Sequence, residues 1–258
     1  MDRPLIQYAV EEALAAGITG IVLVAGRNKT AIEKYFRRDP GLERELNDRG
    51  KKDLMSSLNF TLQPDVSIQT VVQEEPLGLG HAVLCARAAV GEESFAVILP
   101  DDLIDGRDGG CLAQMIGVME IHKSGVIAAE NIPPSDTGKY GIVVTEPIGD
   151  HVHRITSIVE KPEPASAPST LAVVGRYILP PAIFPALEQT VAGTGGEIQL
   201  TDAIARLLAT ETLLAYEFAG TRYDCGTKLG YLKANVAYGL KHPETKVEFS
   251  KYLDRLRS

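Results

Sequence analysis

The feature that most constrains the fold is an apolar run from Ile18 to Ala25, rich in β-branched residues and followed by Gly26. Such a run is typical of a strand in a parallel sheet that is covered on both faces. A helical pattern precedes it from Asp2 to Ala16, where Asp2 can cap the helix and Pro4 suits its first turn. The sequence therefore predicts that an α/β fold begins here.

Strand and helix patterns alternate through the rest of the first half. Strands are predicted at Val66–Val72, Phe95–Leu99 and Val126–Ala129, and helices at His81–Val90 and Cys111–Ser124. This order is typical of βαβ units around a mainly parallel sheet. We therefore expect an α/β fold.

The second half has a different pattern. Its strands have few helices between them, so we expect part of the sheet to be mixed or to carry a β-rich extension; they are Ile142–Thr145, Ile155–Val159 and Ala172–Leu179. Helices resume at Thr201–Leu208, Thr227–Leu240 and Glu244–Leu256. For the last of these, packing on its own domain and a subunit contact are both open. The length of 258 residues fits one domain that spans residues 1–258.

Composition limits the classes of function. The formal net charge of -8 disfavours a nucleic-acid partner, because phosphate backbones are bound mainly by clustered Lys and Arg. No apolar run is long enough to cross a membrane and no signal peptide is evident, so we expect a cytoplasmic protein without a membrane partner. The three cysteines form no CxxC pair, which indicates neither a disulfide framework nor a zinc site.

A glycine-containing segment, Gln73 to Val83, follows a predicted strand and opens a helix. Glycines at such a place let backbone N–H groups approach a phosphate or a base edge at the positive end of a helix. A plain turn is the alternative.

Carboxylates form the second group of candidates. Asp101 and Asp102 follow an apolar strand, at the end where open α/β sheets bind ligands. Asp224 lies between a strand and a helix. Carboxylate oxygens there suit Mg²⁺, which binds through one or two carboxylates plus substrate phosphates. A polar turn and a helix-start residue are the respective alternatives.

Two further segments contain polar residues that can bind a sugar phosphate. Glu160 and Lys161 stand at a strand end and are expected on opposite sides of it, where Lys161 could stabilise charge on phosphate oxygens and Glu160 could bind sugar hydroxyls. An exposed Glu–Lys pair is the alternative. Glu197 follows a glycine turn and can also bind a hydroxyl, while Thr201 or Asp202 is expected to cap the next helix.

An ordered set of motifs runs through nearly the whole chain: PLIQYAVEEA, GRNK, EPLGLGHAVLCA, PDD, KYGIV, VEKP, VGRYIL, GGEIQLTDA and RYDCGTKLGYLKA. Together they resemble the bacterial UTP:glucose-1-phosphate uridylyltransferases, or UDP-glucose pyrophosphorylases. Single motifs are shared across the wider sugar nucleotidyltransferase superfamily, whereas the ordered set is specific to this branch.

The resemblance implies a Rossmann-like sugar nucleotidyltransferase fold with a mixed, mostly parallel sheet flanked by helices. It implies Mg²⁺-dependent transfer of UMP from UTP to glucose 1-phosphate, which gives UDP-glucose and pyrophosphate. It also implies a homodimer or homotetramer. A thymidylyltransferase, and a non-catalytic homologue that binds sugar nucleotides or has a regulatory role, are the alternatives.

The resemblance assigns a role to each motif residue. Gln73 and Gly78 would contact the uracil, and Lys161 would contact the sugar phosphate. Asp101 and Asp224 would hold the metal, with Asp101 and Lys161 as the catalytic pair. The glucose site would be lined by Gly141, Glu160, Gly175 and Glu197.

The family pattern also contains a first strand and a glycine-rich loop, GxGTRxxPxTKxxPKE, that holds the triphosphate. Met1 aligns after this segment. The resemblance therefore implies that the chain lacks this strand and loop.

Overall fold

The computed structural model describes residues 3–27, 30–36, 39–51, 54, 65–106 and 109–257. Asp2, the expected cap of the first helix, lies outside these ranges, and so does most of the segment between residues 52 and 64. In chain order the elements are α1 (Leu5–Ala15), β1 (Gly20–Gly26), α2 (Thr30–Phe36), α3 (Pro40–Asp48), β2 (Ser67–Gln73), α4 (Leu79–Cys85), α5 (Arg87–Val90), β3 (Phe95–Ile98), β4 (Asp102–Gly106), α6 (Cys111–His122), β5 (Gly125–Asn131), β6 (Gly141–Gly149), β7 (Val152–Glu160), β8 (Leu171–Leu179), α7 (Ile183–Glu188), α8 (Leu200–Leu207), β9 (Leu213–Glu217), β10 (Gly220–Asp224), α9 (Lys228–Lys241) and α10 (Lys246–Arg257).

The described strands form three sheets. A six-stranded sheet has the order β3-β8-β5-β9-β7-β6, while β1 pairs with β2 and β4 pairs with β10. Parallel pairing joins β1 to β2 and β5 to β9, and the other pairings of the described strands are antiparallel. A mixed sheet flanked by helices is therefore confirmed.

The expected preponderance of parallel pairing is corrected by this topology. Only Asp150 and His151 lie between β6 and β7, and such a short connection allows antiparallel pairing alone, because a parallel pair needs a crossover of a dozen or more residues. Other strands of the second half also pair antiparallel: β8 with β3 and β5, and β7 with β9.

Several elements had no clear sequence pattern. The strands β4 and β9 and the helix α7 were not predicted, and β10 was expected only as a strand before Asp224, without bounds. The strands and helices whose bounds were predicted lie within a few residues of their expected places. Strands β4 and β10 are five residues long, and each mixes charged with apolar residues, so neither shows the alternation that identifies a strand. Their pairing, Asp224 opposite Asp102, brings two candidate segments together.

Apolar side chains cover both faces of the six-stranded sheet. One cluster joins the sheet to α4, α7 and α8, with Phe184, Ile204 and Leu213 buried in it. The other joins it to α1 and α6, with Leu112 and Met115 at its centre. Each fully buried side chain of this size stabilises the fold by about 1.5–3 kcal/mol relative to exposure. These two layers hold the strand ends in fixed positions.

A buried ion pair crosses the second of these layers. Arg176, with 1% of its side chain exposed, donates to Glu12 Oε2 from Nη2 at 2.7 Å and from Nε at 3.1 Å. Glu12 Oε1 also accepts from the Leu112 N–H at the start of α6, and Arg176 Nη1 donates to the Leu99 carbonyl. The network ties α1, α6 and β8 together directly beneath the loop that leads to Asp101.

The last two helices pack on each other. Phe249 of α10 lies against Gly239 of α9, where a Cβ would come within 3.0 Å of its ring, so α10 packs on its own chain. The outer side of α9 leaves Leu229 and Leu232 63% and 61% exposed. None of the helices within the described ranges is both long and apolar enough to cross a membrane.

Candidate active site

Two of the predicted carboxylates meet around Gly226. A Cβ on Gly226 would lie 3.1 Å from Asp224 Oδ1 and 3.4 Å from Asp101 Oδ2. The Cys225 N–H donates to the Asp101 carbonyl at 2.7 Å, and the Gly226 N–H donates to Asp224 Oδ1 at 3.1 Å. The β4–β10 pairing thus aligns the loop after β3 with the loop after β10. We call Asp101 and Asp224 the carboxylate pair.

Asp102 is turned the other way, into the protein. It is 8% exposed, and its Oδ2 accepts from the Gly175 N–H at 2.7 Å while its Oδ1 accepts from Arg222 Nε at 2.6 Å. A Cβ on Gly175 would approach Asp102 Oδ2 to 2.8 Å and Leu99 Cβ to 2.7 Å. Gly175 therefore has to be glycine for β8 to pass this close to Asp102.

A chain of contacts links Asp102 to the carboxylate pair. The Arg222 guanidinium stacks on the Tyr140 ring at 4.7 Å from its centroid, and its Nη1 lies 3.6 Å from Glu130 Oε2. The Tyr140 hydroxyl donates to Asp224 Oδ2 at 3.0 Å. Both oxygens of Asp224 are therefore held, one by Tyr140 and the other by the Gly226 N–H.

Burial and charge shift several pKa values in this network. Burial opposes the charge on Arg222, but the charge of Asp102 and its hydrogen bond raise the Arg222 pKa overall. Burial raises the pKa of Glu130, against the pull of Arg222, and it also raises the pKa of Tyr140. Burial, with the nearby Asp224, Asp102 and Asp101 charges, raises the pKa of the Cys225 thiol. Arg222 therefore stays a cation, and Cys225 is disfavoured as a thiolate.

Glu160 and Gly141 lie opposite each other in the β6–β7 pairing. Glu160 Oε2 accepts from the Thr201 hydroxyl at 2.9 Å, and a Cβ on Gly141 would lie 3.5 Å from the same oxygen and 2.8 Å from Thr201 Cγ2. The expectation that Thr201 or Asp202 caps α8 is wrong, because Gln199 occupies the cap position and makes no side-chain cap. Thr201 instead orients Glu160.

Lys161 lies just beyond β7 in a left-handed conformation, with φ of 42°. Its N–H donates to the Tyr140 carbonyl at 3.0 Å, and its Nζ lies 3.3 Å from Glu160 Oε1. The two side chains are therefore on one side, contrary to the expectation for an extended strand. This conformation is costly for a lysine and is typical of functional loops. The side chain is 54% exposed.

The segment after β2 forms a second cluster. Gln73 Nε2 donates to the Gly78 carbonyl at 3.1 Å, which closes the loop between β2 and α4. Gly78, with φ of 93°, approaches the neighbouring loop so closely that a Cβ would lie 2.8 Å from Glu197 Cβ. The Gly80 N–H donates to the Ile198 carbonyl. Glu197 thus lies beside the Gly78 loop, where its Oε2 accepts a hydrogen bond from Gln199 Nε2 at 3.1 Å.

The carboxylate pair fits a divalent cation that is shared with a ligand. Among the residues that the structure describes, no group of three or more His, Cys, Asp or Glu could enclose a metal ion. A small hard cation such as Mg²⁺ commonly uses one or two carboxylates and takes its remaining ligands from water and substrate phosphates. Asp101 is exposed, and its carboxylate has no hydrogen-bond partner within the described ranges, so its oxygens are available.

The structure thus groups the predicted residues in two clusters. Asp101, Asp224, Gly175, Gly141, Glu160 and Lys161 are connected through Tyr140, Thr201 and Arg222, whereas Gln73, Gly78 and Glu197 lie together at the β2–α4 loop. Sequence reasoning assigned no role to Arg222 or Tyr140, although both stand inside motifs that resemble the family. Nothing in the sequence indicates which partner each of them contacts.

The model of the nucleotidyl transferase family matches residues 1–240. A UTP–glucose-1-phosphate uridylyltransferase of Bacillus subtilis is 41% identical over 98% of this chain and 85% of its own length.

Two solved structures are similar throughout. A UTP-bound UDP-glucose pyrophosphorylase from Acinetobacter baumannii has 44% identity and a TM-score of 0.88, over 98% of this chain and 88% of that one. A UDP-glucose pyrophosphorylase in complex with UDP-glucose has 40% identity and a TM-score of 0.86, over 94% of this chain and 89% of that one.

Proposed function

The chain belongs to the nucleotidyl transferase family, and from this we infer that it is a UTP:glucose-1-phosphate uridylyltransferase, which makes UDP-glucose and pyrophosphate. The observation that carries this inference is the near-full-length likeness to enzymes of that activity, two of them solved with UTP or UDP-glucose bound. The alternative of a thymidylyltransferase rests on a similarity of fold, because one putative glucose-1-phosphate thymidylyltransferase is only 22% identical.

We propose that the carboxylate pair binds Mg²⁺. Asp101 and Asp224 present oxygens on the same side of Gly226, which supports this assignment. The ion would neutralise charge on the phosphates of the bound nucleotide. Tyr140 holds Asp224 in a fixed orientation by its hydrogen bond to Oδ2, so no side-chain rearrangement of Asp224 is needed when substrate binds.

We propose that the phosphate of glucose 1-phosphate lies at Lys161 and that the glucose ring lies at Glu160. Lys161 is exposed and adjacent to Glu160, which supports a role in contacting phosphate oxygens while Glu160 accepts from glucose hydroxyls. Gly141 and Gly175 leave room where side chains would clash with Thr201 and Asp102. Glu197, which lies beside the Gly78 loop, is also proposed to contact the glucose.

The nucleotide base would lie at the β2–α4 loop. Gln73 and Gly78 offer an amide side chain and a backbone N–H at the start of α4, and we propose that these contact the uracil. The protein then aligns the glucose 1-phosphate oxygen with the α-phosphorus of UTP, and pyrophosphate leaves on the opposite side. Alignment and charge neutralisation supply most of the rate enhancement in such phosphoryl-transfer chemistry.

Product formation tests this function. The protein is mixed with UTP, glucose 1-phosphate and Mg²⁺, and UDP-glucose is identified by mass while pyrophosphate is measured in equal amount. Omission of glucose 1-phosphate should abolish both products. Folded protein that makes neither product would refute the proposed function.

We also propose that the protein is cytoplasmic and assembles as a homo-oligomer. The three cysteines are unpaired, which supports a reducing compartment and hence the cytoplasm. The exposed Leu229 and Leu232 on α9 support self-association into a homodimer or homotetramer, because apolar side chains on one helix face are favoured at subunit contacts. We propose one domain across residues 1–258.

A further inference from the structure

The side-chain amide of Gln73 is held by two neighbours. Its Nε2 lies 3.1 Å from the Gly78 carbonyl oxygen and 3.1 Å from His81 Nδ1. A carbonyl oxygen can only accept a hydrogen bond, so the amide atom that faces it has to be the NH₂ group. The orientation of this amide is therefore determined by its surroundings, and His81 Nδ1 has to accept from the second N–H.

This arrangement leaves one atom of Gln73 for a ligand. An amide NH₂ has two donors, and here the Gly78 carbonyl and His81 Nδ1 take one each. The Gln73 Oε1 atom has no partner within the described chain, so it presents a hydrogen-bond acceptor. Because Nδ1 accepts, the His81 ring proton lies on Nε2, which is 3.7 Å from Cys85 Sγ, a weak acceptor.

The position of His81 is fixed by the helix that carries it. The ring extends from α4 one residue after Gly80, whose N–H donates to the Ile198 carbonyl. A Cβ on Gly80 would lie 2.7 Å from that carbonyl oxygen, so the helix cannot move closer to the loop. Two residues beyond His81, Val83 is buried in the core. The imidazole is thus a rigid support for the amide.

We propose that His81 is a positioning residue that makes Gln73 select bases with a ring N–H. An acceptor at Gln73 Oε1 beside the donor N–H of Gly78 matches the uracil edge, which offers its N3–H and a carbonyl oxygen. Cytosine has an unprotonated N3 at that place, so two acceptors would face each other. This inference rests on the proposed function, in which Gln73 and Gly78 contact the base.

Loss of the imidazole acceptor should weaken this selection. In His81→Leu one N–H of Gln73 has no partner and only the Gly78 carbonyl still holds the amide, so its orientation is less strongly fixed and the rotated form, which can donate to cytosine N3, is reached more readily. We expect the preference for UTP over CTP in kcat/KM to fall about 10- to 100-fold, mainly through a higher KM for UTP, with kcat at saturating UTP within about twofold. Thymine has the same N3–H and carbonyl pattern, so the ratio of UTP to dTTP should not change.

The test compares UTP, CTP and dTTP kinetics for the wild type, His81→Leu and His81→Asn. The side-chain carbonyl oxygen introduced by His81→Asn can occupy the place of Nδ1 and accept from Gln73, so this variant should restore the preference. His81→Phe is a second variant that keeps the ring volume without a nitrogen, and thermal unfolding identifies which of the two apolar variants is folded.

The outcomes separate this inference from the proposed function. An unchanged UTP-to-CTP ratio in a folded apolar variant, or His81→Asn that behaves like His81→Leu, overturns the role of His81 and leaves the function intact. Wild-type protein that makes UDP-glucose but uses CTP as well as UTP also overturns the role of His81 and leaves the proposed function intact. Wild-type protein that uses no nucleotide refutes the proposed function and this inference with it.

Discussion

Asp101 and Asp102 are neighbours in the chain but belong to two different charged regions. Asp102 lies in a buried charge layer with Glu12, Arg176 and Arg222, where both of its oxygens accept hydrogen bonds. Asp101 lies in the carboxylate pair, is exposed, and has no partner within the described residues. Although they are adjacent, Asp102 therefore has hydrogen-bond partners inside the protein for both carboxylate oxygens, whereas the carboxylate of Asp101 is available to a ligand.

The comparison shows how the same residue type supports either stability or chemistry. In the buried charge layer the removal of one partner leaves an uncompensated charge, so substitutions there should lower the free energy of unfolding. In the carboxylate pair the charges are partly solvated, so substitutions should spare the fold and reduce turnover.

The largest effect is expected for Asp101→Asn. This change keeps the shape of the side chain and removes a charge that we assign to metal binding, so kcat should fall about 1000-fold. The free energy of unfolding, measured with urea, should change by less than about 0.5 kcal/mol, because Asp101 lies outside the buried network.

Asp105→Asn is the matched control. Asp105 lies on the adjoining strand β4 and pairs with Lys241 at the surface, away from the proposed site. Its turnover should stay near that of the wild type. Equal losses in the two variants would show that Asp101 has no special role.

A smaller but still large effect is expected for Asp102→Asn, on stability. The amide keeps the shape of the carboxylate but leaves the Arg222 guanidinium without its buried counter-ion, so the free energy of unfolding should fall by about 3 kcal/mol. Urea titration measures this. Adding Arg222→Met should recover part of the loss, since the charge is then absent. If Asp102→Asn is fully stable yet inactive, the division into two regions is wrong.

Lys161→Ala tests the exposed lysine next to Glu160, which we assign to the phosphate of glucose 1-phosphate. Lys161 is 54% exposed, so its removal should leave unfolding nearly unchanged, while the lost charge near the sugar phosphate should lower kcat about 100-fold. Steady-state kinetics at saturating substrates measures the effect. Lys251→Ala on the surface of α10 is the control, and near-normal turnover of Lys161→Ala would remove Lys161 from the proposed chemistry.

Much of the fold could be predicted from the sequence because its signals are local. The apolar run at β1 and the proline at the start of α1 each act within a few residues, and their elements lie where expected. The site motifs could be located for the same reason, since glycines and carboxylates at strand ends are visible in the chain.

What could not be predicted depends on pairing between distant segments. Arg222 and Asp102 are 120 residues apart, and only the β4–β10 pairing makes them partners. Lys161 and Glu160 were predicted on opposite sides of the strand, which is wrong. The left-handed conformation of Lys161 depends on the turn after β7 and not on the alternation within the strand. His81 received no role because it stands at no metal-ligand or triad spacing, whereas its function would come from the amide beside it.

The most direct test of the central claim is a crystal structure with UDP-glucose and Mn²⁺, a divalent ion whose anomalous scattering identifies it. We expect an anomalous peak within about 2.5 Å of a carboxylate oxygen of both Asp101 and Asp224, with Asp102 still bonded to Gly175 and Arg222. A peak at Asp102, or one that touches neither Asp101 nor Asp224, would contradict the division between the carboxylate pair and the buried charge layer.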